Sequence, residues 1–188
     1  VSNIITDATG TTRNPSLDFG FVADASLEFS LGNRVWFDTD NNGSMNGAEV
    51  GVNAVRVELY RDNGTVPGVY DAADTFLGFD DTDSSGYYRF DNLPAGQYVV
   101  AIPASQFGAG GPLSGYLSSG TSISNTGTIT DSFSPDPDVT ATDRDDNGAS
   151  TFTGTTLSLV SSQAVTLGPS TVEPTGETDA LPNPAAGE

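Results

Sequence analysis

Short alternating runs of apolar and polar residues recur along the chain, and they predict β-strands. Val55, Val57 and Leu59 alternate with charged or polar neighbours, which is the period-2 pattern of a half-buried strand. Gly, Ser, Thr, Asn and Asp fill the intervals, and no stretch sustains the 3.6-residue period of an amphipathic helix. We therefore expect an all-β sandwich with long acidic loops and little or no helix. The other predicted strands cover residues 17–22, 31–37, 76–79, 87–90, 98–102, 151–160 and 163–167.

Composition divides the chain into three segments. Residues 1–26 are a polar, turn-rich extension with one strand-like run at 14–22. Residues 27–168 hold the remaining predicted strands and form the expected sandwich. Residues 169–188 are rich in Pro, Gly, Thr and Glu, a composition typical of an extended tail or of a linker to a following repeat.

The charge balance narrows the classes of partner and of chemistry. The chain has 25 acidic and 6 basic residues and a net charge of −19. Such a polyanion repels nucleic acid and anionic lipid, and no run approaches the ~20 apolar residues of a membrane span, so we expect neither nucleic-acid binding nor membrane insertion. His, Cys and Lys do not occur, so the commonest general bases, thiol nucleophiles and zinc ligands are missing. We therefore expect no enzyme and name no catalytic residue.

The acidic segment at residues 38–49 fits a calcium-loop pattern, D-x-[DN]-x-[DN]-G-x5-E, at every position. Ca²⁺ takes six to eight hard oxygen ligands, Gly43 permits the sharp turn, and a closing Glu can bind in a bidentate manner. The flanks are strands, so the loop would join β-strands rather than helices. The alternative is an ordinary solvated Asn/Asp/Gly turn. The predicted calcium ligands are Asp38, Asp40, Asn42, Ser44, Asn46 and Glu49.

Two further acidic groups are candidates for Ca²⁺, although their spacing is less diagnostic. Carboxylates this dense repel one another unless they are solvated or bridged by a cation. In both groups a solvated loop is the competing interpretation. The second group is Asp136, Asp138, Asp143, Asp145 and Asn147, and the third is Asp62, Asp71, Asp74, Asp81 and Asp83.

Paired carboxylates also occur in glycosidases, but here they lie in Gly/Asn-rich turns, and the one Trp is Trp36. Asn42-Gly43-Ser44 and Asn63-Gly64-Thr65 match the N-glycosylation pattern, which leaves glycan modification open.

Three segments resemble a known family: LGNRVWFD at 31–38, GVNAVRVEL at 51–59 and DSSGYYRFDNLPAGQYVV at 83–100, with weaker support at 143–148 and 173–177. Through them the chain resembles the calcium-binding B-type repeats of Sdr surface adhesins, which are related to the prealbumin-like B-type domains of collagen adhesins. The resemblance covers residues 31–177 and implies a Greek-key β-sandwich of the prealbumin or immunoglobulin-like type, bound Ca²⁺ that makes it rigid, and a stalk or adhesion role outside the cell.

Two departures from the family pattern are informative. Many relatives contain an isopeptide bond made by a Lys, which this Lys-free chain cannot form. In the family, a segment like residues 17–22 closes a repeat, yet here it precedes the first strand of the sandwich. The segment could fold back on its own sandwich, belong to a preceding tandem repeat, or complete the next subunit by strand donation. The residues predicted to be donated are Leu17, Phe19 and Phe21.

Three classes of function remain. The favoured one is a calcium-stabilised structural subunit or repeat of an extracellular bacterial filament, stalk or surface protein, whose partners are copies of itself arranged head to tail or in tandem. The alternative is an adhesin module that binds a host protein or glycan through its loops, residues 105–125 among them. The third is an auxiliary domain of a secreted hydrolase. All three place the protein outside the cell.

Overall fold

The computed structural model describes residues 5–6, 12–13, 28–132, 136–138 and 146–169. Within them the chain consists of β-strands and one turn of 3-10 helix at Ala104–Gln106, which confirms the all-β prediction. No helix in this part of the chain is long and apolar enough to cross a membrane. The strands are β1 (Ile5–Thr6), β2 (Thr12–Arg13), β3 (Glu28–Arg34), β4 (Arg56–Arg61), β5 (Thr75–Asp81), β6 (Tyr87–Pro94), β7 (Gly96–Pro103), β8 (Ser122–Ile123), β9 (Ile129–Thr130), β10 (Ala149–Thr153), β11 (Thr156–Ser161) and β12 (Val165–Leu167).

Six of the strands form one antiparallel sheet. Its order is β10-β11-β7-β4-β5, and β12 pairs with the first part of β7. β5 and β6 are joined by a short turn, and β7 returns to lie beside β4. Three consecutive strands followed by a fourth that returns beside the first make a Greek key, as the family resemblance implies.

The opposing layer is a sheet of two strands, β3 and β6, with a register shift between Phe29 and Leu31. The core lies between this layer and the six-stranded sheet. β4 directs one face toward this core, as its alternating sequence predicts. Val57 and Leu59 are buried, while the intervening Arg56, Glu58 and Tyr60 are partly exposed. The buried core residues are Leu31, Val52, Val55, Val57, Leu59, Leu93, Tyr98, Val100 and Leu113.

β7 departs from simple alternation, because Tyr98 to Ala101 are all buried. Tyr98 and Val100 belong to the core between the layers. Val99 and Ala101 pair with Tyr60 and Glu58, so they lie on the outer face of the sheet, where they are also buried. A central strand covered on both faces has this continuous apolar pattern.

Two predicted segments differ in detail. Residues 151–160 were expected to be one strand, but they form the hairpin of β10 and β11, which turns at Gly154 with a φ of 64°. Glycine adopts this left-handed conformation without steric cost, so the turn interrupts an otherwise strand-like run. Residues 105–125, predicted as a loop, contain part of the 3-10 turn and β8.

Candidate calcium site

The loop of residues 38–49 is closed at its base by a short antiparallel ladder. Phe37 N–H donates to Val50 O at 3.0 Å, and Val52 N–H donates to Val35 O at 2.8 Å. These hydrogen bonds hold the two ends of the loop side by side. The loop therefore starts and ends on the sandwich, and its candidate ligands are positioned by backbone that the core already orders.

The turn between β5 and β6 packs directly on this base. Val35 N–H donates to Gly86 O at 2.9 Å. A Cβ atom on Gly51 would overlap the backbone of Ser85 and Gly86, and a Cβ on Gly86 would overlap Val35 O. The close approach leaves no room for a side chain at Gly51 or Gly86.

Three carboxylates converge at the top of the loop. Asp38, Asp40 and Glu49 each place an oxygen atom within 4.8 Å of the others. Asp40 is exposed, while Asp38 and Glu49 are half-buried. At this spacing the like charges repel one another, and a bound cation would reverse the sign of the interaction.

Backbone and hydroxyl donors fix the orientation of Asp38. Its carboxylate accepts hydrogen bonds from Gly43 N–H at 2.8 Å and Asn42 N–H at 3.2 Å. Burial alone would raise the pKa of Asp38, but hydrogen bonds from Gly43 N–H, the Ser119 hydroxyl and Asn42 N–H together hold this pKa below its ordinary value. Asp38 is therefore ionised at neutral pH and available to a cation.

Glu49 spans the loop from the opposite side. Its Oε1 accepts hydrogen bonds from Thr39 N–H at 2.7 Å and from the Thr39 hydroxyl at 3.1 Å. Its Oε2 accepts from Asn46 N–H at 3.0 Å. The carboxylate thus connects the first and last parts of the loop, as the final Glu of a calcium loop must.

The three remaining predicted ligands lie in the same hydrogen-bonded network. Asn42 Nδ2 donates to Asp40 Oδ2 at 3.0 Å, and Asn42 Oδ1 accepts from Ser44 N–H at 2.8 Å. Asn46 Nδ2 donates to Ser44 O at 3.1 Å. The donor set of carboxylate, amide and carbonyl oxygens, without sulfur or imidazole, fits Ca²⁺ and fits zinc or copper poorly.

A distant part of the chain packs against the loop. Gly120 N–H donates to Asn41 Oδ1 at 2.8 Å, and Asp146 N–H donates to Gly43 O at 2.8 Å. The Ser119 hydroxyl hydrogen-bonds Asp38. We call these contacts the clasp. Through the clasp, the loop is hydrogen-bonded to two segments that lie about eighty and a hundred residues further along the chain.

Asp146 is the most perturbed carboxyl group among the described residues. Burial raises its pKa to about 6, hydrogen bonds from Gly148 N–H and the Ser118 hydroxyl oppose the increase, and the charge of Asp131 adds to it. The hydrogen-bond lengths are 3.0 Å from Gly148 N–H and 2.8 Å from Ser118 Oγ. Asp146 therefore changes its charge in a range of pH where ordinary aspartates do not.

The second predicted metal group is only partly described. Asp143 and Asp145 lie outside the described residues. Asp136 accepts a hydrogen bond from Asp138 N–H at 2.9 Å, and Asp138 accepts one from Thr166 N–H at 3.0 Å, which attaches this segment to β12. Asn147 follows Asp146 beside the clasp.

The third predicted group is divided between the two ends of β5. Asp62, Asp71 and Asp74 lie in the loop before β5, whereas Asp81 ends β5 and Asp83 follows it. Seven extended residues separate the two ends by about 20 Å, so these five side chains do not form one cluster.

The carboxylates of the loop before β5 face backbone N–H groups. Asp71 accepts from Thr65, Val66 and Ala73 N–H at 2.6–2.7 Å. Asp74 accepts from Gly64 N–H at 2.8 Å. At the other end of β5, Asp81 pairs with Arg56 at 3.0 Å and Asp83 accepts from Ser85 N–H at 2.7 Å.

Sequence reasoning missed the clasp. Ser118, Ser119 and Gly120 lie in a Gly/Ser-rich stretch without charge, and no local pattern connects it to residues 38–49. The predicted donated strand, residues 14–22 with Leu17, Phe19 and Phe21, lies outside the described residues.

Comparison with known proteins agrees with the fold and with the sequence motifs. Residues 29–111 match the family of the SdrD B-like domain. Serine-aspartate repeat-containing protein C from Staphylococcus aureus strains Newman, USA300 and COL is 33% identical to the chain over 140 residues. The match covers 71% of this chain and 12% of each relative, so the chain corresponds to a small part of these proteins. Residues 29–111 are therefore similar to the SdrD B-like domain family, and the chain is similar to a part of the serine-aspartate repeat-containing proteins.

Proposed function

We propose that the protein is a structural module of an extracellular bacterial surface or filament protein, and that Ca²⁺ bound in the loop of residues 38–49 makes it rigid. The convergence of Asp38, Asp40 and Glu49 carries the proposal. The family supports a surface-protein module, and a composition without His, Cys or Lys favours a structural role over a catalytic one. Ca²⁺ supplies a positive charge that converts mutual repulsion of the carboxylates into attraction.

The arrangement of the loop explains how binding would stabilise the whole module. The base of the loop is hydrogen-bonded to the sandwich, and the clasp connects its middle to residues 118–120 and 146. An ion bound in the loop would therefore also restrict the motion of residues 118–120 and of residue 146. Because the unfolded chain lacks this geometry, binding shifts the folding equilibrium toward the native state.

Thermal unfolding in excess Ca²⁺, in excess Mg²⁺ and in chelator tests the calcium proposal. At free Ca²⁺ one hundred times the Kd, stabilisation is about 2.7 kcal/mol, which corresponds to roughly 5–10 °C in a domain of this size. Mg²⁺ should give much less, because it requires a smaller octahedral shell. Equal melting temperatures in all three conditions would show that the loop is only a solvated turn.

A matched pair of variants assigns the effect to the loop. Glu49→Gln should remove most of the calcium-dependent increase in melting temperature, because the amide cannot bind the ion as a bidentate anion. Glu28→Gln is the control, since Glu28 is an exposed carboxylate at the start of β3, away from the loop. If both variants lose the same amount, the increase reflects general charge screening.

We further propose that copies, or tandem repeats, connect head to tail by adding a strand to β3. Arg89 N–H in β6 donates to the side chain of Asp80 in β5 at 3.0 Å, so that edge of β6 faces β5. Within the described residues β3 pairs only with β6. Arg89 lies opposite Gly32. Because the N–H of Arg89 points away from β3, these two residues form a non-hydrogen-bonded pair, and the N–H of Gly32 points away from β6 as well. We propose that a donated strand would pair with this other edge of β3.

Residues 14–22 are the proposed donor, because Leu17, Phe19 and Phe21 alternate as one face of a strand. Deletion of residues 1–23 should abolish assembly, as seen by negative-stain imaging and light scattering. A peptide of residues 14–22 should bind the truncated protein and raise its melting temperature. The control is the same peptide with Ser at positions 17, 19 and 21. Unchanged assembly after the deletion would contradict donation and leave the calcium proposal intact.

A further inference from the structure

Four Asn-Gly pairs occur in the chain, and all of them lie outside the strands. An Asn that precedes a Gly can lose its amide group without an enzyme, because the backbone nitrogen of the Gly attacks the side-chain carbon Cγ of the Asn. Gly favours this attack, since it has no side chain to obstruct the approach and its backbone rotates freely. The pairs share this local chemistry, so the fold decides which of them react. They are Asn42-Gly43, Asn46-Gly47, Asn63-Gly64 and Asn147-Gly148.

In three of the pairs a carboxylate binds the nitrogen that would attack. The nitrogen must lose its proton before it can attack, and a neighbouring anion disfavours that loss. The hydrogen bond to the carboxylate must also break, which adds to the barrier. The three bonds run from Gly43 N–H to Asp38 at 2.8 Å, from Gly64 N–H to Asp74 at 2.8 Å and from Gly148 N–H to Asp146 at 3.0 Å.

The same three glycines are also enclosed by their surroundings. Gly43 is buried. A Cβ atom on Gly64 would overlap the side chain of Asp71, and one on Gly148 would overlap the side chain of Val160. Closure of a ring between Asn and Gly requires the backbone of both residues to rotate, and close packing opposes this rotation.

The pair Asn46-Gly47 lacks these restraints. Both residues are exposed, and a Cβ atom on Gly47 would meet no atom within 4 Å. In the part of the chain that the structure describes, Gly47 N–H donates to no carboxylate. The side chain of Asn46 donates to Ser44 O at 3.1 Å through Nδ2, whereas the side chain of Asn42 is held through both Nδ2 and Oδ1.

We propose that Asn46 is a site of spontaneous modification, at which attack by Gly47 N converts it to aspartate or isoaspartate. The nitrogen of Gly47 forms a bond to Cγ of Asn46, the bond from Cγ to Nδ2 breaks, and the amide group leaves as ammonia with the proton of Gly47 N–H. Water then opens the cyclic imide at one of its two carbonyl carbons. Opening at Cγ gives aspartate and opening at the backbone carbonyl gives isoaspartate, so that in both products OH replaces NH2.

The modification alters the candidate calcium loop, and this consequence rests on the proposed function. Asn46 N–H donates to Glu49 Oε2 at 3.0 Å, and Glu49 N–H donates to Asn46 O at 3.2 Å. In isoaspartate the chain runs through the former side chain, which lengthens the backbone at this turn and displaces Glu49. Aspartate keeps the backbone and adds one carboxylate to the loop. Isoaspartate should therefore weaken calcium binding, whereas aspartate should preserve it.

Peptide mapping by mass spectrometry, after incubation of the full chain in chelator at mildly alkaline pH, tests the assignment. The matched control is the same chain unfolded in guanidinium chloride, and the rate at each pair in the folded chain is divided by its rate in the unfolded chain. This ratio should be at least about tenfold larger at Asn46 than at the other three pairs, because each of those must first break a hydrogen bond to a charged group. Equal ratios, or a larger ratio at another pair, would overturn the proposal.

Two variants test the role of the Gly N–H group directly. Gly47→Ala should slow the reaction at Asn46, because the methyl group obstructs the attack. Asp74→Ala removes the acceptor of Gly64 N–H and should increase the rate at Asn63 without changing the rate at Asn46. An unchanged rate at Asn63 in the folded variant would contradict protection by the hydrogen bond.

The effect on the loop is measured separately. The chain in which isoaspartate has accumulated should lose its calcium-dependent increase in melting temperature in proportion to the modified fraction. Gly47→Ala incubated in the same way is the control, and Asn46→Asp should retain the increase. If the unmodified chain shows no increase with Ca²⁺, the proposed function fails and the assignment of the modification site stands.

Discussion

Two loops of similar composition, residues 38–49 and 62–74, use their aspartates in opposite ways. In the first loop Asp38, Asp40 and Glu49 point toward one another, with oxygens within 4.8 Å. In the second, Asp71 and Asp74 point toward backbone N–H groups of their own loop. Asp38 and Glu49 also accept backbone N–H bonds, so the difference between the loops is the convergence of three carboxylates, whose mutual repulsion a cation would relieve. The comparison shows that acidic composition predicts where carboxylates occur, whereas the groups that each carboxylate contacts decide what it does in the structure.

The largest expected effect is at the base of the first loop. Gly51→Ala would place a methyl group against the backbone of Ser85 and Gly86, neither of which can move without shifting the turn. We expect destabilisation of about 3 kcal/mol or more, measured by urea unfolding. Gly47→Ala is the control in the same loop, because it meets no atom within 4 Å and involves only the strain of its φ of 55°. Equal losses would indicate strain in the loop backbone and no packing at its base.

The second prediction concerns the pH dependence that the clasp imposes. The pKa of Asp146 is about 6 in the folded state, above its unfolded value, so the folded state binds the extra proton. The stability that this group contributes in chelator should therefore be fully present below about pH 4 and fall by up to roughly 3 kcal/mol as the pH rises through 6. Asp146→Asn should flatten this part of the curve of unfolding free energy against pH. An unchanged curve would show that Asp146 does not carry the dependence.

A third prediction compares one Asp→Asn variant in each of the two loops. Asp71→Asn should lower the melting temperature with and without Ca²⁺ and leave the calcium Kd unchanged, because its N–H partners in Thr65, Val66 and Ala73 lose their anion. Asp40→Asn should weaken calcium binding by about tenfold or more and leave calcium-free stability equal or slightly higher, because repulsion in the cluster decreases. Isothermal titration and thermal unfolding measure both quantities. Loss of calcium affinity in Asp71→Asn would contradict the comparison.

The pH dependence of the second loop has the opposite sign to that of Asp146. Hydrogen bonds from Ala73 and Val66 N–H hold the pKa of Asp71 below its ordinary value, although burial acts against them. The stability that Asp71 contributes is therefore present above its unfolded pKa and is lost as the pH falls through the lower folded pKa. Asp71→Asn should thus reduce stability at neutral pH more than at pH 2–3.

The smallest expected effect is at the far end of β5. The pair of Arg56 and Asp81 is exposed, and such pairs contribute little in water. Asp81→Asn should leave the calcium Kd and the melting temperature nearly unchanged. A large change in either would mean that the aspartates after residue 75 belong to a metal site after all.

Several features could be predicted from local patterns because their causes are local. Val55, Val57 and Leu59 alternate, so β4 and the face that it buries follow from the sequence. The D-x-[DN]-x-[DN]-G-x5-E pattern predicts that Asp38, Asp40 and Glu49 share one loop, and the structure brings them together. The hairpin at Gly154 could not be distinguished from a continuous strand, because one Gly within an apolar run is compatible with both.

The amino-acid sequence by itself determined the strand composition, the excess of negative charge, the resemblance to the SdrD B-like domain and the calcium-loop pattern, because each depends on residue type and short-range spacing. Only the tertiary structure decided that Asp38, Asp40 and Glu49 converge, whereas Asp71 and Asp74 are bound by backbone N–H groups of their own loop. It also decided that residues 118–120 and 146 contact the loop, and that the register of β4 and β5 leaves Phe76 and Phe79 exposed. These are contacts between residues far apart in the chain, and they depend on how the strands pair and how the layers pack.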